Sequence, residues 1–146
     1  MTHPIHGFVP HISEEQTSAW CTALSDSPLI AHIHTVGSNG SSEKAAFIPL
    51  ERSTSTSTLR AMADRCAAEY MLIYTHATPF TIGYRAIERM LRTATESKAD
   101  WVYSNRYMVK QGELLAIPTN EYLEGSVRDD FDFGPLLLIR TEAVRH

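Results

Sequence analysis

Residues 58–80, TLRAMADRCAAEYMLIYTHATPF, combine three signals that decide the fold of this chain. The first half places apolar residues three and four positions apart, the spacing of a helix with one buried face. Tyr70 to Tyr74 is an apolar run of strand length, typical of a strand covered on both faces. Residues 75–79 then form a polar turn, where function is expected because open α/β sheets bind ligands at the carboxyl ends of their strands. The helical stripe consists of Leu59, Met62, Ala63, Cys66 and Ala67.

Size and composition favour one globular domain over residues 1–146, since 146 residues with 43% hydrophobic content can bury a core. The net charge of -4 provides no basic field, so nucleic acid is not expected as a partner. Cys21 and Cys66 lie on the apolar sides of predicted helices, which favours two buried thiols over a disulfide. No segment approaches the roughly 20 apolar residues of a membrane span, and no signal peptide is recognisable, so a cytoplasmic location is predicted.

The remaining pattern predicts helices alternating with strands, and hence a mostly parallel, doubly wound sheet with helices on both faces. A capping box at residues 13–16 begins the first helix. The polar run at 51–57 favours a solvated loop over a phosphate cradle because it has no glycine. Strands are predicted at 5–9, 29–36, 45–50, 70–74, 99–109, 114–117 and 133–139, helices at 14–24, 58–67 and 81–97, and core positions at Tyr70, Trp101 and His32.

A further helix begins at Thr141 and is not completed by His146. This pattern predicts that the chain is the N-terminal part of a longer protein, truncated on its C-terminal side and followed by a further domain.

With this order of elements, the sequence resembles the family 2 glycosyltransferases, the nucleotide-sugar enzymes of the GT-A fold. The resemblance implies a Rossmann-like, three-layer α/β/α sandwich whose mostly parallel sheet has a mixed edge. The segments that carry it are Gly7-Phe8-Val9-Pro10, the strand and loop at 29–42, the helix, strand and turn at 57–80, Ala99-Asp100-Trp101-Val102-Tyr103-Ser104-Asn105, and Gly134-Pro135-Leu136-Leu137-Leu138-Ile139-Arg140.

The resemblance also implies an activity, the transfer of a sugar from a nucleotide-diphospho-sugar to the hydroxyl of a glycan acceptor. The donor is expected to bind at the ends of the first, second and fourth strands. The positions implied for nucleotide-sugar binding are Pro10, His11, His34, Thr35, Gly37, Ser38, Thr75, His76 and Thr78.

The chain departs from the family pattern in its acidic residues. The family has an acid in the loop after the second strand, where this chain has His34-Thr35-Val36-Gly37-Ser38. The family's Asp-x-Asp turn holds a divalent metal through carboxylates, the ligands that hard cations require. Here that turn is Thr75-His76-Ala77-Thr78. No cofactor is therefore predicted, and Mg²⁺ or Mn²⁺ would need ligands from outside the turn.

Three interpretations of the missing acids are open. The domain is a degenerate transferase, a pseudoenzyme that serves as a non-catalytic binding or scaffolding module. Alternatively, Asp129, Asp130 or Asp132 supplies a catalytic carboxylate from an acidic loop. In the third, His11, His34 and His76 follow neighbouring strands and contact a diphosphate or a transition metal. Their wide separation in sequence is no metal signature, so no metal ligand is predicted.

Overall fold

The computed structural model describes residues 4–40, 45–50, 55–119 and 121–146. Of the predicted loops, positions 41–42 and 51–54 lie outside this part of the chain. The described residues form a mixed α/β structure, as the alternating pattern predicts. In chain order the elements are β1 (Ile5–Pro10), α1 (Glu14–Ser25), β2 (Ile30–Gly37), β3 (Ala46–Pro49), α2 (Thr56–Arg65), β4 (Tyr70–Tyr74), α3 (Ala86–Ser97), β5 (Trp101–Tyr103), β6 (Arg106–Lys110), β7 (Glu113–Ile117), β8 (Leu136–Arg140) and α4 (Thr141–Arg145).

The main sheet has six strands in the order β3-β2-β1-β4-β8-β5. Strands β3, β2, β1 and β4 run parallel to one another, while β8 is antiparallel to both β4 and β5. The prediction of a mostly parallel sheet is therefore confirmed. The chain builds the sheet outward from β1 to β3 and then returns to place β4 on the other side of β1. This reversal of strand order creates a switch point between β1 and β4.

Strand β4 lies at the centre of the sheet, and all five of its side chains are buried. Because successive side chains of a strand point to opposite faces, β4 contributes to two separate apolar clusters. Leu72 packs in the cluster that includes Trp20 of α1 and Met90 of α3. Met71 packs in the other cluster, with Met62 of α2. Helices therefore cover both faces of the sheet, and each fully buried large apolar side chain contributes about 1.5–3 kcal/mol.

Two local features at the helices agree with the sequence pattern. Ser13 caps α1, accepting a hydrogen bond from the Gln16 amide at 3.2 Å. Cys21 and Cys66 are both buried, as predicted. None of the helices in the described ranges is long and apolar enough to cross a membrane.

The third helix begins later than predicted, at Ala86 rather than residue 81. Arg85 has a φ of 52°, a left-handed conformation that a helix cannot include. Gly83, two residues earlier, also disfavours helix because glycine loses the most backbone entropy on folding. Ile82 nevertheless packs on the core from an irregular segment. Because Ile82 is apolar and lies close to the apolar residues of the helix in sequence, it extends the predicted helical pattern although it is not part of the helix.

The predicted strand at 99–109 is two strands, β5 and β6, which belong to different sheets. The extended strand is interrupted at Ser104 and Asn105. The Asn105 Oδ1 accepts a hydrogen bond from the Thr119 amide at 2.8 Å. Strand β5 is one of the two edge strands of the main sheet, so Trp101 is 47% exposed rather than in the core, and its ring packs on Phe133. The predicted hairpin is confirmed, because β6 and β7 pair as a separate antiparallel sheet.

Candidate ligand site at the carboxyl edge of the sheet

The parallel strands β1, β2 and β4 end at the same edge of the sheet, on either side of the switch point. Pro10 pairs with Val36 at the end of β1 and β2, and Phe8 pairs with Ile73 near the end of β4. The residues that follow these ends are His11, the β2 loop (residues 37–40) and the β4 turn (residues 75–78). Ligands of doubly wound sheets bind in the crevice at such an edge.

His11 lies at the end of β1 and is half-buried. Its backbone amide donates a hydrogen bond to the Val36 carbonyl at 2.8 Å, so β2 holds the residue in place. Its Nδ1 lies 3.4 Å from Oγ1 of Thr17, a fully buried residue of α1. The Phe47 ring of β3 contacts the imidazole edge to face, with centroids 5.8 Å apart. The ring is thus positioned by three different elements.

The β2 loop packs its backbone directly against His11. A Cβ at Gly37 would lie 3.3 Å from His11 Cβ, and a Cβ at Gly40 would overlap the imidazole ring. Glycine is therefore required at residue 40 for the loop to approach this closely. Ser38 is exposed between these two glycines. The loop offers backbone groups and one hydroxyl next to the histidine.

The β4 turn is exposed on the far side of the switch point. Tyr74 secures it, because its phenol donates to the Thr78 carbonyl at 2.7 Å and lies 3.1 Å from Thr78 Oγ1. The Thr75 amide donates to the Pro135 carbonyl at 2.8 Å, which ties the turn to the segment before β8. His76 lies at the tip, with its ring centroid 6.3 Å from that of Tyr74.

Asp132 comes to this edge from the acidic loop that precedes β8. Its Oδ2 pairs with Arg106 Nη2 at 2.6 Å, and its Oδ1 accepts the Gly134 amide at 2.8 Å. The hydrogen bond from Gly134 lowers the pKa of the Asp132 carboxyl, and the charges of Arg106 and His76 lower this pKa further against the opposing effect of desolvation. Asp132 therefore remains ionised, in the electrostatic range of His76.

The other two candidate acids are exposed parts of the loop surface. Asp130 pairs with Arg128 at 3.2 Å, and both side chains are largely exposed. Such surface pairs contribute little to stability or to a site. Of the three candidates Asp129, Asp130 and Asp132, the last is the one that reaches the electrostatic range of the β4 turn.

His34 and Thr35 lie inside β2 rather than after it, so the prediction that His34 follows the second strand is wrong. The strand continues to Gly37, which leaves both residues within the sheet. His34 is buried and its Nε2 lies 3.2 Å from Nδ1 of His6. Thr35 is fully buried, and its Oγ1 has no hydrogen-bond partner among the described residues. Pro10, His11, Gly37, Ser38, Thr75, His76 and Thr78 lie at the edge itself.

Arg106 and Gly40 are edge residues outside the predicted nucleotide-sugar-binding set, although the sequence places Arg106 where a strand edge would approach an acceptor. Arg106 is 26 residues from its partner Asp132 in sequence, so no local pattern links the two. The arginine also lies against Gly134, where a Cβ would be 3.0 Å from Nη1. Gly40, in contrast, lies in a loop rich in glycine and serine, and that composition was an available signal.

The donor groups at this edge do not fit Mg²⁺ or Mn²⁺, which prefer several oxygen anions. The β4 turn contains two threonines and a histidine, and the carboxylate of Asp132 is already engaged by Arg106. Across the described ranges, no group of three or more His, Cys, Asp or Glu side chains is arranged to hold a metal ion.

Comparison of the chain with protein-family models and with curated proteins finds no match.

Proposed function

We propose that this chain is a GT-A-like domain of the family 2 glycosyltransferase type, which binds a nucleotide-diphospho-sugar at the carboxyl edge of its sheet. The observation that most supports this is the parallel order β3-β2-β1-β4 with its switch point between β1 and β4. Doubly wound sheets bind nucleotides in the crevice at that point. Helices on both faces of the sheet and the glycine-containing β2 loop also favour this proposal.

In this proposal, the diphosphate is recognised by hydrogen-bond donors on both sides of the switch point. His11 and His76 offer ring nitrogens, and the β2 loop offers the exposed Ser38 hydroxyl and backbone groups that no bulky side chain obstructs. Because β2, α1 and β3 all contact His11, this residue loses little conformational freedom on binding. The donor groups predict binding that does not require a divalent metal.

Sugar transfer requires a base that deprotonates the acceptor hydroxyl, and Asp132 is poorly suited to that role. A carboxylate whose pKa is lowered is a weak proton acceptor. Its two oxygens are also engaged by Arg106 and the Gly134 amide. We therefore assign Asp132 the role of holding its loop through Arg106 and the Gly134 amide, and the domain the role of a degenerate transferase that binds the donor.

Thermal unfolding in the presence of UDP, GDP and their sugars, with Mn²⁺ or with EDTA, tests this proposal. A ligand at 100 times its Kd stabilises the native state by about 2.7 kcal/mol, and we expect such a shift with EDTA present. His76→Ala removes an exposed donor and should reduce the shift without altering the fold. His146→Ala is the matched control, since His146 is an exposed histidine paired with Glu142 of α4.

Two results would overturn the proposal. The absence of any shift at millimolar nucleotide would exclude a competent donor site in this chain. A shift that requires Mn²⁺ would show that carboxylates bind a metal, contrary to the donor set described above.

The second candidate function is a non-catalytic binding or scaffolding module on the same fold. The absence of a carboxylate from the β4 turn and the pairing of Asp132 with Arg106 favour it. So does the exposure of three large apolar side chains on one face of the β6-β7 hairpin, Tyr107, Val109 and Leu114. The thermal-unfolding assay separates the two candidates: stabilisation by a nucleotide-sugar favours the degenerate transferase, and no stabilisation favours the scaffolding module. Turnover of the donor would contradict both, because neither candidate performs transfer.

A further inference from the structure

Three histidines cluster on one face of the sheet, away from the carboxyl edge. This histidine cluster consists of His6 in β1 and His32 and His34 in β2. His6 pairs directly with His32 in the parallel register, and His34 is two residues further along the same face. The His6 ring centroid lies 5.0 Å from that of His32 and 5.2 Å from that of His34. The cluster thus results from strand register and not from a local sequence motif.

Two members of the cluster, His6 and His34, are buried and uncharged. His6 is 5% exposed and His34 is 9% exposed. Burial lowers the pKa of His34 to about 4, helped by the neighbouring His6, His32 and Arg65, and burial followed by His32 lowers that of His6. Both rings are therefore neutral at pH 7, the protonation state in which imidazole nitrogens are metal ligands.

The separation of the two facing nitrogens matches the edge of a tetrahedral metal site. His34 Nε2 and His6 Nδ1 lie 3.2 Å apart. Two nitrogens that are each about 2.05 Å from a tetrahedral Zn²⁺ ion are roughly 3.3 Å apart. One of these nitrogens now carries the proton of the shared hydrogen bond. A metal ion replaces this bond when that ring moves its proton to its other nitrogen and both rings turn their unprotonated nitrogens toward the ion.

We propose that His6 and His34 chelate a late transition-metal ion of the Zn²⁺ class, with His32 as the third ligand. Imidazole nitrogens suit this class of ion. The described side chains are not yet arranged as a three-ligand site, so His32 has to turn toward the pair. His32 is exposed and can change rotamer without disturbing the core. Water would complete the coordination, as in metal sites that keep an open position.

A cleft gives solvent access to the cluster. Its volume is about 480 Å³, and its lining includes Ser25, His32, His34 and Ala45. Strand β1 pairs with one side of the first half of β2, whereas β3 pairs with the other side only from His34 onward. Within the described ranges, that other side of residues 30–33 has no strand. A metal ion can enter along this open side. The positive charge of Arg65 lies close enough to affect His34 and opposes the binding of a cation.

Calorimetric titration of the full chain with Zn²⁺ tests this site. We expect one ion per chain. Replacing His34 by Gln, which keeps polarity and approximate volume, should weaken binding at least about tenfold, because even loss of an outer-shell partner costs 10–100-fold. Arg65→Gln should strengthen binding by removing a repulsive charge. His76→Ala and His146→Ala are matched controls outside the cluster and should leave the affinity unchanged.

Nitrogen NMR of the histidine rings in the unaltered chain keeps the test independent of the stability of any variant. Zn²⁺ should shift the resonances of the cluster histidines and leave those of His76 and His146 in place. The proposal is overturned if Zn²⁺ binding is not saturable, if the cluster resonances do not respond, or if His34→Gln binds with unchanged affinity. The cluster histidines lie within β1 and β2 rather than at their carboxyl ends, and none of them belongs to the proposed nucleotide site, so these outcomes do not bear on nucleotide binding.

Discussion

Protonation of His34 should lower the free energy of unfolding of this protein at acid pH. Burial of the ring is the main cause, because it lowers the pKa of His34 in the folded state. An unfolded chain binds the proton with a pKa near 6.5, whereas the folded protein binds it with a pKa of about 4. The native state therefore holds a neutral ring that the unfolded state protonates more readily. The stabilisation that the neutral His34 ring contributes is fully present above the pKa of the unfolded state. It is lost as the pH falls from that pKa to the pKa of the folded state.

The size of the effect follows from the two pKa values. Each unit of difference corresponds to about 1.36 kcal/mol, so the full loss below pH 4 is roughly 3.4 kcal/mol. At pH 5 the loss from this one histidine is about 2 kcal/mol, a large fraction of the 5–15 kcal/mol typical of a domain.

Urea unfolding at pH 7.5 and pH 5.0, in EDTA, measures this loss. Carboxylates also titrate over this range, so the informative quantity is the comparison of the unaltered chain with His34→Gln. The free energy of unfolding of the unaltered chain should fall by about 2 kcal/mol more than that of the variant. His146→Gln, at an exposed position, should follow the unaltered chain. Parallel losses for His34→Gln and the unaltered chain would refute the reasoning, because His34 would then not be the titrating group.

Two further substitutions test the packing of the carboxyl edge, both by urea unfolding. Gly40→Ala should destabilise the protein by about 1–3 kcal/mol, because the added Cβ overlaps the His11 ring and forces the loop to move. Gly83→Ala, where nothing lies within 4 Å of the added atom, is its neutral control, and equal stabilities would contradict the close contact at residue 40. Tyr74→Phe should cost about 1 kcal/mol through the lost hydrogen bonds to Thr78; an unchanged free energy would show that water replaces the phenol there.

Local patterns predicted the elements whose sequence signals are unambiguous. Tyr70–Tyr74 is apolar at every position, and such a run can be satisfied by burial on both faces of a central strand. The β6-β7 hairpin turns through Gln111 and Gly112, both with positive φ, and glycine is the residue that favours this conformation. These features are decided within a few residues, so the sequence pattern is sufficient.

Other features depend on partners that are distant in sequence. Apolar residues near Ile82 extended the predicted helix beyond its true start, and Trp101 was expected in the core because its place on an edge strand is not visible locally. His34 was expected at a strand end, although its strand continues to Gly37. The pairing of Arg106 with Asp132 spans 26 residues and has no local signal at all.

The sequence by itself determined which segments become helices and strands, because hydrophobic periodicity and capping act over a few residues. It also indicated that the ends of the first, second and fourth strands carry polar and glycine residues. Only the tertiary structure decided the strand order, the insertion of antiparallel β8 between β4 and β5, and the pairing of Arg106 with Asp132. The contact between the His6 and His34 rings also depends on the tertiary structure. Such pairings are long-range: their energy depends on the register and packing of whole strands, which no short window of sequence contains.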